Sequence, residues 1–286
     1  MGTNMWVRMG QELLDDISNA AVPPGAVALW YLGQMGFVLK GADTIIYIDP
    51  YLVESWTTLP DSGVKVSRRR FPPPFAGDQV RHAHFVLGTH NHSDHINVPT
   101  LIGIAASSLT SRFVVPQPHA GVLTTAGIDA TRVEGARAFQ ELHLGGVTVM
   151  PIPAAHVTLE QDANGDYTAL GYIIHMGGTT IFHAGDTVEY PGFIETLSKQ
   201  PIDICILPIN GRDALRTNKN IIGNMSFREA ADVGAAVGAK LIIPGHYDLF
   251  AHNSENPAYF TDYLYRAYPA QPYKIMCPGE RLLYAP

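Results

Sequence analysis

Thr89-His90-Asn91-His92-Ser93-Asp94-His95 places three imidazoles and a carboxylate within six residues, directly behind the apolar run Phe85-Val86-Leu87. A segment this short cannot bury four such side chains in a core, so their economical use is to coordinate metal. Neutral imidazole and ionised carboxylate suit zinc, manganese or iron. A lone His at a strand end is more often a hydrogen-bonded structural residue, but nothing except metal binding requires the spacing found here.

Three later stretches share one design. Val147-Thr148-Val149-Met150-Pro151-Ile152-Pro153 runs into Ala154-Ala155-His156. Ile181-Phe182-His183-Ala184-Gly185-Asp186-Thr187 is a short apolar strand that breaks at a glycine before a carboxylate, and Leu241-Ile242-Ile243-Pro244-Gly245-His246-Tyr247 ends on an imidazole. Each candidate ligand thus falls at the C-terminal tip of a strand, where loops converge on an open site. His82, His84, His119, His143, His175, His183 and His252 lack this support and read as structural or surface residues. His183 is a candidate for orienting a ligating neighbour.

With 286 residues, 46% hydrophobic and 16% charged, the chain can bury a sizeable core, and no break in composition divides it. A net charge of −7 argues against a general nucleic-acid-binding surface, so an anionic small-molecule substrate would need a local basic pocket. Cys205 and Cys277 lie far apart and outside any C-x-x-C pattern, which predicts two reduced, partly buried thiols. Residues 1–16 lack an apolar signal-peptide core and carry Glu12, Asp15 and Asp16. No stretch approaches the roughly eighteen apolar residues of a membrane span, so a cytoplasmic protein without a membrane partner is expected.

The hydrophobic pattern predicts a leading helix at 5–20, then strands at 27–32, 36–40 and 44–49, the last two joined by Gly41-Ala42-Asp43. Residues 54–76, rich in Pro, Ser and Arg, read as a long loop. Beyond the cluster follow a helix at 98–108, a strand at 113–116, a helix near 118–126 and strands within 133–153. Residues 170–176 should pair with 179–183 through Gly177-Gly178, and a buried strand is expected at 202–208. Ser226 with Glu229 forms a capping box for a helix over 227–237. Two successive blocks of strands and helices suggest two sheets packed face to face with helices outside.

The His-x-His-x-Asp-His pattern of residues 90–95, followed in order by His156, Asp186 and His246, resembles the signature of the metallo-β-lactamase superfamily. That resemblance implies an α/β fold, a four-layer αββα sandwich, with 1–286 forming one such domain. It implies that His90, His92 and His156 hold one metal, that Asp94, His95 and His246 hold the other, and that Asp186 bridges them. One or two divalent ions are implied, zinc or manganese, with iron as a further option. Asp94 and Asp186 become the catalytic candidates, since two cations sharing a hydroxide lower the pKa of water from 15.7 to about 7.

A narrower resemblance concerns substrate. Trp30-Tyr31-Leu32-Gly33-Gln34-Met35-Gly36-Phe37-Val38-Leu39-Lys40, Phe182-His183-Ala184-Gly185-Asp186-Thr187, Ile202-Asp203-Ile204-Cys205-Ile206-Leu207 and the blocks Asn224-Met225-Ser226 and Ala239 through Asp248 look like the L-ascorbate-6-phosphate lactonases. The likeness spans most of residues 26–252, leaves the 54–76 loop and the last thirty residues unmatched, and implies opening of a phosphorylated sugar lactone by a homo-oligomer. Asn210, Arg212, Arg216 and Lys219, in a cationic segment that follows the buried strand, are then the expected phosphate contacts, with Tyr247 assisting. Ser67-Arg68-Arg69-Arg70 reads as a flexible or subunit-contacting loop. A phosphodiesterase or nuclease would use the same ligands but calls for a broader basic surface. A non-hydrolytic metalloprotein would need a cofactor domain, and Gly33, Gly36 and Gly41 lack G-x-G-x-x-G spacing. β-Lactam opening is the same chemistry, normally met outside the cytoplasm.

Overall fold

The computed structural model describes residues 5–56 and 67–286. In chain order, the strands are β1 (Val27–Gly33), β2 (Gly36–Lys40), β3 (Ile45–Ile48), β4 (Ser55–Trp56), β5 (Ser67–Arg68), β6 (Phe85–Leu87), β7 (Arg112–Pro116), β8 (Val133–Ala136), β9 (Leu142–Leu144), β10 (Val147–Pro153), β11 (Leu170–Met176), β12 (Thr179–His183), β13 (Ile204–Pro208), β14 (Leu241–Gly245) and β15 (Arg281–Tyr284). Helices are α1 (Gly10–Asn19), α2 (Val98–Ser107), α3 (Ala120–Thr125), α4 (Phe193–Leu197), α5 (Ala214–Thr217), α6 (Phe227–Ala236) and α7 (Pro257–Ala267).

One sheet has the order β15-β1-β2-β3-β6-β7-β8 and the other β14-β13-β12-β11-β10-β9. Side chains of β1 alternate between two cores, as the two-residue period of a strand requires. Leu29 and Tyr31 join the core shared with Ile174, Ile181 and Ile206 of the second sheet, while Ala28, Trp30 and Leu32 pack with Leu13, Ile17 and Leu101 of the helices outside. Ala230, Val233, Phe260 and Leu264 place α6 and α7 against the second sheet. This is the αββα sandwich the pattern implied.

Within each sheet the parallel block decides where the site lies. β3, β6, β7 and β8 run parallel, as do β12, β13 and β14, so their carboxyl ends open at one edge of the sandwich. Tyr172 donates its hydroxyl to Gly88 O at 2.8 Å, and Leu170 N donates to Thr89 O at 2.9 Å, tying the two sheets at that edge. Gly185 has φ +61°, and a Cβ there would stand 2.8 Å from the Thr89 Cβ, so close packing of the sheet ends requires glycine.

Three expectations need correction. The leading helix begins at Gly10: ahead of it Val7 N donates to Pro278 O, and Gly10 N itself donates to Pro74 O. The 54–76 segment contains the antiparallel pair β4–β5, and residues 57–66 of it lie outside the described residues. Cys205 is buried as expected, but Cys277 is exposed. Among the described residues, no helix is long and apolar enough to cross a membrane.

Candidate metal centre

The 90–95 segment folds back on itself directly after β6. His95 N donates to His92 O at 3.0 Å, and the Asn97 amide donates to Ser93 O at 2.8 Å while its oxygen caps α2 through Thr100 N. This turn gathers His90, His92, Asp94 and His95. Asp186 arrives from the turn after β12, His156 from beyond β10 and His246 from the end of β14. Ala155 N donates to the Thr187 hydroxyl at 3.0 Å, fastening the His156 arm to the Asp186 turn.

Two groups of donor atoms result. His90, His92, His156 and Asp186 have ligand atoms within 4.8 Å of one another, and so do Asp94, His95 and His246. The carboxylate of Asp186 lies between them: one oxygen is 3.3 Å from His95 Nε2, and the other is 3.2 Å from His246 Nε2 and 3.7 Å from His156 Nε2. The structure thus brings together all seven side chains selected from the sequence.

Two supporting groups escaped the sequence reading. Asp49, after β3, accepts bonds from Thr89 N at 2.8 Å and the Thr89 hydroxyl at 2.7 Å, and lies 2.6 Å from His95 Nδ1. A carboxylate can only accept, so Nδ1 carries a proton, and Nε2 is the nitrogen left to offer a lone pair to a cation. Gln34 is the second: its amide lies 2.7 Å from Asp94 Oδ2 and 2.9 Å from His246 Nε2. Gln34, Asp49 and His246 all have positive φ, at +59°, +45° and +56°. Non-glycine residues rarely adopt that conformation, which concentrates here at one site. His183, expected to orient a ligand, instead lies 2.9 Å from Met35 O and accepts from Gly185 N, bracing the turn before Asp186.

Burial pushes the imidazoles of the first group toward neutrality, His156 down to about 4 and His90 well below its ordinary value. Burial would do the same to His95, but Asp186, Asp49 and Asp94 together outweigh it and hold that imidazole well above its usual range. The same attraction, from His246 and His95, keeps Asp186 ionised against its burial.

The donor chemistry fits divalent ions. His92 Nδ1 stands 3.0 Å from His90 Nε2 and 3.1 Å from His156 Nε2, so three imidazole nitrogens converge where neutral rings can pair only by sharing one proton or one lone pair between two neighbours. His95 Nε2 and Asp186 Oδ1 are buried without a hydrogen-bond partner. Lone pairs of neutral imidazole and ionised carboxylate directed at a common centre are what a cation would satisfy.

Over this floor opens a pocket lined by His92, Ser93, Asp94, His156, Asp186 and His246 and walled by Asn220, Ile221, Ile222, Phe250, His252 and Asn253. The segment after β13 does border the site, but through residues 220–222; its cations are not in the lining, and Arg216 reaches the wall only from behind, 3.3 Å from Asn253 Oδ1. Arg212 forks onto both carboxylate oxygens of Glu229 at 2.8 and 2.6 Å, and Arg216 is bound to Asp213 and to Asn210 O. Asn210 is buried, and its amide braces Asn253 at 2.9 Å. Lys219 is exposed and outside the lining, and the Tyr247 hydroxyl donates to Met276 O inside the core. None of these five residues is among those that line the pocket. Conversely His252, read from the sequence as structural or surface, belongs to the wall. Of the remaining histidines, His82 pairs with the Tyr47 hydroxyl, His84 accepts from Ile45 N, His119 meets Thr168 O and His175 meets the Thr180 hydroxyl, while His143 lies on the surface beside Glu141.

Comparison with known proteins agrees with this architecture. A UPF0173 metal-dependent hydrolase of Methanoculleus marisnigri is 26% identical over 90% of this chain and 97% of its own. A probable L-ascorbate-6-phosphate lactonase of Escherichia coli is 23% identical over 87% of this chain and 77% of its own. The crystal structure of an isothiocyanate hydrolase from Delia radicum gut bacteria superposes with a TM-score of 0.71 at 19% identity, over 90% of this chain and 99% of that one, and shares the fold. The family model of the beta-lactamase superfamily domain matches residues 45–247, the span from β3 to just past His246 that carries all seven convergent side chains. The chain belongs to the beta-lactamase superfamily.

Proposed function

We propose that this metal-dependent hydrolase of the beta-lactamase superfamily opens a small lactone that bears no phosphate. The observation that carries the reading is the pocket itself: a floor of convergent His and Asp donors under walls of amide, imidazole and apolar side chains, with no Lys or Arg among the described lining residues. Divalent ions, zinc or manganese, held by the seven side chains would supply activated water at neutral pH and an electrophilic contact for a carbonyl oxygen. The chain's own contribution is placement. Asn220 and Asn253 present amides to ring hydroxyls and carbonyls, while Ile221, Ile222 and Phe250 shield one side of the substrate from water.

The lactone class is supported by the lactonase relative. Phosphate recognition is not supported, because Arg212 and Arg216 are already paired with Glu229 and Asp213. A phosphodiester substrate meets the same objection. The test is hydrolysis by purified, metal-analysed protein of sugar lactones with and without a phosphate, of phosphodiesters and of β-lactams. The expected result is a kcat/KM for the unphosphorylated lactone at or above that of its phosphorylated counterpart, with diesters at background. A preference of about tenfold or more for the phosphorylated lactone, some 1.4 kcal/mol, would overturn a pocket without a phosphate-binding side chain. Turnover of diesters without lactones would overturn the substrate class.

A further inference from the structure

Gln34 occupies the turn between β1 and β2, fully buried. Its backbone is fastened to the strand end that carries His246: His246 N donates to Gln34 O at 2.6 Å, and Gln34 N donates to Asp248 Oδ1 at 3.0 Å. The Tyr31 hydroxyl also donates to Gln34 O, at 3.2 Å. The side-chain amide is thereby aimed at Asp94 Oδ2 and His246 Nε2, two ligand atoms of the second trio. Its other terminal atom, Oε1, is buried with no hydrogen-bond partner.

Amide nitrogen and oxygen are told apart only by their partners. A half-turn about the last bond would give up the donation to Asp94 and present the carbonyl oxygen to the trio, an exchange that a cation seated among these oxygens and His246 would favour. Apart from the shared Asp186 each group has three side chains of its own, and only in the second does a further polar side chain, Gln34, reach two of the ligand atoms. We infer that Gln34 is a further ligand of the second group, beside Asp94, His95, His246 and the shared Asp186, entering through its carbonyl oxygen. The inference rests on the two-group reading of the centre. It makes the second group richer in oxygen than the first, which favours a harder ion such as manganese there.

A rival role is that the amide NH₂ merely clamps Asp94 by hydrogen bonding, and Gln34→Glu separates the two. A glutamate keeps an oxygen donor for an ion but loses the NH₂ and sets a second negative charge beside Asp94. The full-length wild type, Gln34→Ala, Gln34→Asn and Gln34→Glu are stripped with chelator and titrated with Mn²⁺ and Zn²⁺. Bound metal per chain is measured after equilibrium dialysis, and the melting temperature of each metal-free protein checks the fold. The wild type is expected to take up two ions. The Ala variant, and the Asn variant that keeps polarity but falls one methylene short, should weaken the second ion about 10–100-fold and leave the first unchanged. The Glu variant should restore wild-type affinity. Wild-type binding of the second ion by the Ala and Asn variants would overturn the inference, and so would a Glu variant as weak as Ala. A wild type that binds only one ion would instead remove the two-group reading on which the inference stands.

Discussion

The floor of the pocket is fixed by strand ends and buried hydrogen bonds, whereas its wall at residues 220–222 and 250–253 comes from loops after β13 and β14 that reach partly into solvent. Asp49, Thr89 and His95 form a chain of contacts of 2.6 to 2.8 Å with all three residues buried, while Ile222 remains 42% exposed. A floor so braced sets its donors before anything binds. The wall can change its side chains without disturbing them, which is how one scaffold serves many substrates.

The largest effect that would break this contrast is expected at Asp186, the carboxylate facing both groups. Asp186→Ala should lose metal from both and drop hydrolysis to background, as read by metal analysis and rate; a variant that keeps two ions and most activity would remove its bridging position. Asp49→Asn, one step behind the ligands, should weaken metal affinity about 10–100-fold while the metal-free fold survives, a change measurable by chelator competition. On the wall, Ile222→Ala should raise KM for a lactone by up to about tenfold with kcat and metal content unchanged. Smallest of all, Arg212→Ala and Arg216→Ala should leave KM for phosphorylated and plain lactones within about twofold and cost within about 1 kcal/mol of stability, seen as a small shift in Tm. A KM effect confined to the phosphorylated substrate would restore those arginines to the site.

The floor was legible in the sequence because its residues sit at strand tips, and apolar runs ending in His or Asp mark such tips at residues 85–95, 181–186 and 241–246. His156 was found by the same pattern. Asp49 also follows an apolar strand, but a single carboxylate before Pro50 carries no signal of its partner at His95, forty-six residues away in the chain. Gln34 is equally silent, because its role depends on a left-handed backbone and on contact with a strand more than two hundred residues later. The wall failed to read for another reason. Three cations in one loop suggested an anion site, yet Asp213 lies within the same turn and Glu229, recognised as a cap for α6, also accepts the fork from Arg212. Counting charges does not reveal which are already paired.

The most direct test of the two-group centre is anomalous diffraction from crystals of the wild-type protein grown or soaked with Mn²⁺ or Zn²⁺. Two peaks are predicted, one enclosed by His90, His92 and His156 and one by Asp94, His95 and His246, with Asp186 between them. A single peak, or peaks away from these seven side chains, would contradict the account.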